Sequence, residues 1–201
     1  MAEKIKTILF DLGGVYLNRG IWIFREDYLI KNFDVTNQQV IDVMIKKYYK
    51  PYFSGKMPEK EFWEKSLSEL NIKANWKDLR KKLLDSFEPQ TGMPELVKKL
   101  RESYKIGLLS DQTREWWPYL DEKYKISGNF DFTIISYKTG FHKPQTEIYE
   151  VAIKEAGCKP NEILFTDDLE HNLAPAKDLG MKTLLFKNPT QIKEDLKKLG
   201  V

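Results

Sequence analysis

The chain has 201 residues, of which 41% are hydrophobic, a size that allows one substantial core or a core with a smaller inserted domain. Its 33 basic and 30 acidic residues leave a net charge of +3, and both signs are mixed along the chain, so a nucleic-acid-binding surface is not expected. A single cysteine, Cys158, excludes an internal disulfide and a cysteine-rich metal site.

The segment that begins the chain, MAEKIKTILFDLGG, does not have the pattern of a secretory signal. Its apolar run is short, ends at Asp11 and lacks a small-residue cleavage site. No segment of the sequence approaches the ~20 consecutive apolar residues that a membrane-spanning helix needs. We therefore expect a cytoplasmic protein without a membrane partner.

The first predicted element is a buried strand over residues 5–10, after which residues 18–87 change to a helical, aromatic-rich pattern. Residues 37–49 and 58–72 carry apolar side chains at helical spacing, and no strand is predicted in this region. Pro58 and the acids that follow it are typical of the first turn of a helix. The sequence therefore predicts a helical unit placed directly after the first strand.

From residue 94 onward, helical and strand-like patterns alternate. Helices are predicted at 94–103, 114–124, 144–157, 173–180 and 189–200, and strands at 104–110, 130–136, 162–166 and 181–186. Such alternation predicts βαβ units and a parallel sheet that is covered on both faces. The predicted fold is therefore α/β, with a parallel, Rossmann-like three-layer core formed by residues 1–17 and 88–201 and an inserted all-helical cap domain at residues 18–87.

Polar residues stand where the predicted strands end, and ligands of open parallel sheets bind at that edge. These residues are Asp11, Ser110, Asp111, Lys143 in the loop after the third strand, Asp167 and Asp168. Each alone is most often a turn or helix-capping residue, or a solvated lysine. Together they bring several carboxylates to one edge, and close carboxylates repel unless a cation joins them. Such oxygen ligands favour Mg²⁺, and the lysine suits a phosphoryl oxygen.

The combined pattern resembles the haloacid dehalogenase superfamily of hydrolases. The resemblance rests on four segments, which are FDLGGV at residues 10–15, LLSD at 108–111, GFHKPQTEIY at 140–149 and LFTDDLEHN at 164–172. It covers essentially the whole chain, and the predicted helical insertion stands where this superfamily carries its cap domain. The resemblance implies a Mg²⁺-dependent phosphatase that hydrolyses a small phosphorylated metabolite, with a sugar phosphate as the default substrate.

The resemblance also implies a role for each matching residue. Asp11 would be the nucleophile that attacks phosphorus and forms an aspartyl-phosphate. The carboxylates of Asp11 and Asp168 and the carbonyl of Gly13 would bind Mg²⁺. Asp167 and Asn172 would stand close behind these ligands as supporting groups.

The phosphoryl group would be held by a second set of residues. The resemblance implies that the Ser110 hydroxyl and the backbone amide of Asp111 bind its oxygens. Lys143 would neutralise the charge that the phosphate shares with Asp11. Positioning and charge stabilisation of this kind are most of what phosphoryl transfer asks of a protein.

Two positions depart from the usual pattern of the superfamily. Gly13 stands where most of its phosphatases have an acid that protonates the leaving oxygen and later activates water, work typically worth ~10²–10⁴-fold in rate. Asp111 stands where asparagine is more usual, and we expect its side chain to point away from phosphate and to cap the next helix. His142 is interpreted as a partly exposed loop residue that could carry a proton, and His171 is assigned no role.

Two alternative functions stay open at this point. A 2-haloacid dehalogenase uses a similar nucleophile without metal, but it would leave the pair Asp167 and Asp168 without a cation, and it needs a halide-binding arginine such as Arg19 or Arg25. A non-catalytic protein that binds phosphate or Mg²⁺ is favoured by Gly13 and opposed by the retained Asp11. Aromatic residues of the cap are expected mostly in its core. The sequence does not determine the oligomeric state.

Overall fold

The computed structural model describes residues 4–201 and contains one five-stranded sheet. All neighbouring strands are parallel, and their spatial order is β3-β2-β1-β4-β5. The strands are β1 (Thr7–Phe10), β2 (Lys105–Ser110), β3 (Phe132–Ile135), β4 (Ile163–Asp167) and β5 (Lys182–Leu185). The predicted parallel α/β fold is confirmed, and the first strand lies at the centre of the sheet.

Alternate residues of the central strand face two different layers of helices. Leu9 packs into a cluster with Ile148 and Ala176, which lie on the helices Thr146–Ala156 and Glu170–Asp178. Its neighbours in β1 face the other side, where the helices are Met93–Leu100, Trp116–Tyr124 and Pro189–Lys198. Because both faces of the sheet are covered, its strands are apolar without polar alternation.

Residues 20–85, between β1 and β2, form helices joined by turns and short loops. The α-helical segments are Gly20–Ile23, Ile30–Asn32, Asn37–Val40, Lys50–Phe53, Glu59–Glu69 and Trp76–Asp85, and the π-helical segments are Phe24–Leu29 and Ile41–Tyr49. Regular α-helix was predicted over residues 37–49, whereas most of this stretch is π-helical. Its buried side chains Val40, Met44 and Tyr48 recur every four residues, a spacing that both an α-helix and a π-helix allow.

Shorter helical segments complete the core. They are the α-helical turn Ser136–Thr139 and the 3₁₀ segments Ser127–Asn129 and Pro160–Glu162. The turn Ser136–Thr139 was not predicted, and Ser136 was instead included in the strand predicted at residues 130–136. Among residues 4–201, no helix is both long enough and apolar enough to cross a bilayer.

The chain leaves and re-enters the core through two adjacent segments. The Asn18 amide donates to the Glu88 carbonyl at 2.8 Å, and the Asn18 side chain donates to the Ser86 carbonyl at 3.0 Å. The Gln90 amide donates to the Tyr16 carbonyl at 2.9 Å. These bonds tie the two connections together beside the end of β1. The boundaries of a cap domain at residues 18 and 87 remain a prediction that this pairing supports.

Candidate active site

The ends of three neighbouring strands converge at the middle of the sheet. Phe10, the last residue of β1, pairs with Leu108 of β2 and with Thr166 of β4. The next residue, Asp11, donates its amide to the Thr166 carbonyl at 2.9 Å, so it continues the strand by one position. This arrangement fixes the Asp11 carboxylate between the ends of β2 and β4, where the chain order of the sheet reverses and ligands bind in open α/β sheets.

Lys143 is buried among the carboxylates at this edge. Its Nζ lies 2.7 Å from Asp11 Oδ1 and 2.7 Å from Asp167 Oδ2. Burial alone would lower the pKa of the Lys143 ammonium, but the neighbouring carboxylates raise this pKa well above its usual range. The lysine therefore carries a positive charge and joins two acids that would otherwise repel each other.

Asp167 is fully engaged by groups around it. Besides Lys143, it accepts hydrogen bonds from the Leu169 amide at 2.8 Å and from Asn172 Nδ2 at 3.1 Å. Its carboxylate is inaccessible to solvent. Asp167 and Asn172 thus lie behind the lysine, and Asp167 fixes the position of the Lys143 ammonium. Their predicted role behind the magnesium ligands stays a prediction.

Three carboxylates form a tight group. Ligand atoms of Asp11, Asp167 and Asp168 all lie within 4.8 Å of one another. Burial raises the pKa of the Asp11 carboxyl well above its usual range, and the other two acids add to this rise against the opposing effect of Lys143. Burial, with Asp167, also raises the pKa of Asp168. The site therefore holds negative charge that is costly in the absence of further positive charge.

Arg19 supplies part of that positive charge. Its Nε lies 2.6 Å from Asp168 Oδ2, and this contact opposes the rise in the pKa of Asp168. From the sequence, Arg19 was interpreted only as a possible halide ligand, and this contact was not predicted. Since the two residues are separated by 149 positions, no local pattern connects them.

The donor set suits a hard divalent cation. Asp11 and Asp168 offer carboxylate oxygens at the edge of a cavity, and the Gly13 backbone lines the same cavity. Carboxylate, carbonyl and water oxygens are the ligands that Mg²⁺ prefers. The residues present therefore fit the predicted magnesium site, with Asp167 occupied by its own hydrogen bonds.

Gly13 and Gly14 differ in whether their positions could accommodate a side chain. Gly14 has φ +89°, and a Cβ at this position would lie 2.2 Å from Asp168 Oδ2. Only glycine fits there, because the Asp168 carboxylate packs directly against the backbone. A Cβ at Gly13, by contrast, would meet no atom within 4 Å, and its φ is not in the left-handed region. The acid missing at position 13 is thus not excluded by lack of space.

Gly14→Ala should weaken Mg²⁺ binding and lower the free energy of unfolding by about 1–3 kcal/mol. The new methyl group must push Asp168 away, and the alanine backbone must adopt a strained positive φ. Calorimetric titration with Mg²⁺ and denaturant unfolding measure the two effects. Gly13→Ala is the matched control, and its unfolding free energy should change by less than that of Gly14→Ala. Equal losses in both variants would contradict the role of Gly14 in holding Asp168.

The side chain of Asp111 departs from its expected orientation. Its Oδ1 accepts the Lys143 backbone amide at 3.0 Å, and its Oδ2 lies 3.4 Å from the Tyr49 hydroxyl of the helical region. Burial raises its pKa, and Lys143 partly opposes this rise. The expectation that Asp111 caps the next helix is wrong, because Thr113 Oγ1 accepts the Trp116 amide there. Asp111 instead holds the loop that carries Lys143.

A cavity of about 470 Å³ opens above these residues. From the sheet edge it is lined by Asp11, Ser110, Asp111, Lys143 and Asp168, and from the helical region by Trp22, Ile45 and Tyr49. Ser110 is buried at its floor. Trp22 thus contributes to the cavity wall, whereas Tyr16 is only 1% exposed and is not among the lining residues. All the predicted strand-end residues thus meet in one site.

Both histidines of the chain line the same cavity but differ in environment. His171 is exposed, whereas His142 is only 8% exposed. The interpretation of His142 as a partly exposed loop residue is therefore wrong. Its ring is held in place by a hydrogen bond, since Nδ1 lies 2.8 Å from the Lys143 carbonyl oxygen.

Comparison with known proteins gives one relative that matches part of the chain and one that matches nearly all of it. The chain is 40% identical to mouse (Mus musculus) bifunctional epoxide hydrolase 2 over 75 residues, which are 37% of this chain and 14% of that protein, so the chain spans a small part of that relative's length. It is 27% identical to the D-ribitol-5-phosphate phosphatase of Bacteroides thetaiotaomicron over 205 residues, which cover 96% of this chain and 97% of that one.

A solved structure shows the same architecture. A HAD family enzyme of Bacteroides thetaiotaomicron, in complex with magnesium and inorganic phosphate, superposes with a TM-score of 0.72 and 26% identity, over 92% of this chain and 96% of that one. The sequence also matches the haloacid dehalogenase-like hydrolases over residues 8–186, which include β2 to β5 in full and all of β1 except Thr7. The chain therefore belongs to the haloacid dehalogenase-like hydrolase family.

Proposed function

We propose that this protein is a Mg²⁺-dependent phosphatase that hydrolyses a small phosphate monoester through an aspartyl-phosphate on Asp11. One observation carries the proposal. The Asp11 carboxylate lies at the end of the central strand, 2.7 Å from the Lys143 ammonium, at the edge of a cavity that also contains the Ser110 hydroxyl. A nucleophile, a cation for the phosphoryl oxygens and a hydroxyl donor thus face one volume.

The first chemical step follows from this placement. One carboxylate oxygen of Asp11 attacks phosphorus, and the bond from phosphorus to the leaving oxygen breaks. Lys143 neutralises charge on the phosphoryl oxygens, while Ser110 and the backbone amide of Asp111 donate hydrogen bonds to them. In the second step water attacks the same phosphorus and releases phosphate and the free carboxylate.

Mg²⁺ would be held by Asp11, Asp168 and the Gly13 carbonyl, and it supplies positive charge that draws the phosphate dianion to an acidic site. The surrounding residues prepare these ligands. Arg19 and the close packing on Gly14 hold the Asp168 carboxylate in one orientation. Asp167 and Asn172 hold Lys143 in place from behind.

The helical region is proposed to act as a cap over residues 18–87 that closes the cavity and selects the substrate. Trp22, Ile45 and Tyr49 are its contributions to the cavity wall. A sugar phosphate or a sugar-alcohol phosphate is the proposed substrate class, which agrees with the D-ribitol-5-phosphate phosphatase that aligns along the whole chain.

The arrangement of the arginines argues against a 2-haloacid dehalogenase. Such an enzyme needs an arginine that is available to a halide. Arg19 is paired with Asp168, and Arg25 is buried, pairs with Glu26 and lies over the Trp22 ring at 4.0 Å. Arg19 is therefore already engaged by a carboxylate, Arg25 does not line the cavity that contains Asp11, and a dehalogenase would leave the group of three carboxylates without a metal ion.

The test is phosphate release from 4-nitrophenyl phosphate and a panel of sugar and sugar-alcohol phosphates, with Mg²⁺ and with EDTA. We expect turnover that requires Mg²⁺ and the Asp11 carboxylate. Release of halide from a 2-haloacid in EDTA would instead establish the dehalogenase. Folded protein that binds Mg²⁺ in calorimetric titration but releases no phosphate from any ester would favour the non-catalytic alternative.

A further inference from the structure

A phosphatase of this design needs a proton for the leaving oxygen, and position 13 does not provide one. Gly13 has no side chain, and the volume that its Cβ would enter contains no atom within 4 Å. For an alkyl ester the departing alkoxide is a strong base, so the lack of a positioned acid would cost ~10²–10⁴-fold in rate. Another side chain of the cavity must supply the proton, an inference that rests on the proposed phosphatase function.

Most other titratable groups in the cavity are engaged elsewhere. Lys143 joins Asp11 to Asp167, and Asp168 is paired with Arg19. The Asp111 carboxylate accepts the backbone amide that follows His142. Burial raises the pKa of the Tyr49 hydroxyl well above its usual range, which makes it a poor proton donor.

His142 differs from all of these groups. A carbonyl oxygen can only accept, so its contact of 2.8 Å with the Lys143 carbonyl requires the proton on His142 Nδ1. The His142 amide donates to Gln145 Oε1 at 2.9 Å, which anchors the backbone on the other side. Within residues 4–201, Nε2 makes no hydrogen bond and is not sealed from solvent. The ring is thus held through Nδ1, its second nitrogen has no partner among the described residues, and His142 lines the cavity.

We propose that His142 Nε2 is the proton donor and acceptor that replaces the acid missing at position 13. In the first step Asp11 forms its bond to phosphorus, the bond to the leaving oxygen breaks, and the proton on Nε2 passes to that oxygen to give the alcohol. In the second step the neutral Nε2 takes a proton from the attacking water, whose oxygen binds phosphorus as the aspartyl bond breaks. Phosphate leaves, and the imidazolium is restored.

The test compares His142→Gln with His171→Gln on a series of phosphate esters from 4-nitrophenyl through phenyl to an alkyl phosphate. Nitrophenolate is a weak base and can leave without being protonated, whereas an alkoxide is a strong base and needs a proton to leave. We expect His142→Gln to lose about 10²-fold in kcat/KM on the alkyl ester and less than about tenfold on the nitrophenyl ester. His171→Gln is the matched control, because it removes the exposed histidine of the same cavity and should keep the wild-type dependence on the leaving group.

Restoring the activity of the His142→Gln variant provides a second test. Gly13→Asp in the His142→Gln background should restore turnover of the alkyl ester, since the space for the new side chain is open. Mg²⁺ affinity, measured by calorimetric titration, should be the same in the wild type and in His142→Gln. A merely structural role would reduce all esters alike and would not be rescued, and that result would overturn the proposal.

The wild-type protein alone also tests the idea. A shallow dependence of kcat/KM on the basicity of the leaving group is expected if the leaving oxygen is protonated. A steep dependence, equal to that of His142→Gln, would overturn the role of His142 while leaving the phosphatase itself established. Absence of phosphate release from every ester would instead show that the proposed function fails, so the two failures are distinguishable.

Discussion

Asp11→Asn should reduce phosphate release by at least about 10³-fold on every ester, including the activated nitrophenyl ester. The amide that replaces the carboxylate is a poor nucleophile, so the proposed covalent intermediate on this residue cannot form. Because the loss concerns the attacking atom and not the leaving group, it should be equal across the ester series. This pattern separates Asp11 from a proton-transferring residue.

The same substitution should leave the protein folded and, in EDTA, at least as stable as the wild type. The burial that raises the pKa of the Asp11 carboxyl makes its ionised form costly at neutral pH, and asparagine removes that charge. Lys143 keeps its contact with Asp167. Thermal unfolding in EDTA is the measurement, with Asp34→Asn, a change at an exposed position, as the control.

Phosphate release by purified Asp11→Asn at more than a few per cent of the wild-type rate would contradict Asp11 as the nucleophile. A lower midpoint of thermal unfolding in EDTA would contradict the destabilising charge but not the nucleophile. The two readouts therefore test separate statements about one side chain. Their combination would show that the site sacrifices stability to keep a buried carboxylate ready for attack.

The sheet could be predicted because its strands are short apolar runs, and the polar edge could be located because three of these runs lead directly to a polar residue. Asp11, Ser110 and Asp167 all follow such runs, and parallel strands must end at the same edge of the sheet. The period of the pattern was enough to identify a helical insertion between the first two strands. It could not show the wider turns of Ile41–Tyr49, since buried positions four apart fit both kinds of helix.

Contacts between segments that are distant in the chain could not be predicted from the sequence. The pairing of Arg19 with Asp168 joins the start of the helical region to the end of β4, and neither position has a local partner that would indicate it. The orientation of Asp111 depends on a loop amide 32 positions away. His142 was expected to be partly exposed because loop residues usually are, whereas its hydrogen bond to a carbonyl allows burial of the ring. These are the contacts that turn a set of residues into a site.

Lys143 is buried between two carboxylates, so its replacement should have a large effect on stability. Lys143→Met should lower the unfolding free energy in EDTA by about 3–5 kcal/mol, because it leaves Asp11 and Asp167 buried without their shared cation. Phosphate release should fall to background, since the phosphoryl oxygens lose their positive partner. Methionine keeps most of the volume of the lysine stem, so loss of packing contributes little.

Lys138→Met is the matched control, because Lys138 stands on the same connection after β3 but is exposed, and its unfolding free energy should change by less than about 0.5 kcal/mol. Denaturant unfolding of both variants, in EDTA and in Mg²⁺, provides the measurement. Mg²⁺ should restore part of the stability that Lys143→Met loses, since a divalent cation bound to folded protein stabilises it and offsets the same carboxylates. It should not restore activity. An equal loss in both variants would mean that the carboxylates are compensated by other groups, and the electrostatic account of the site would then be wrong.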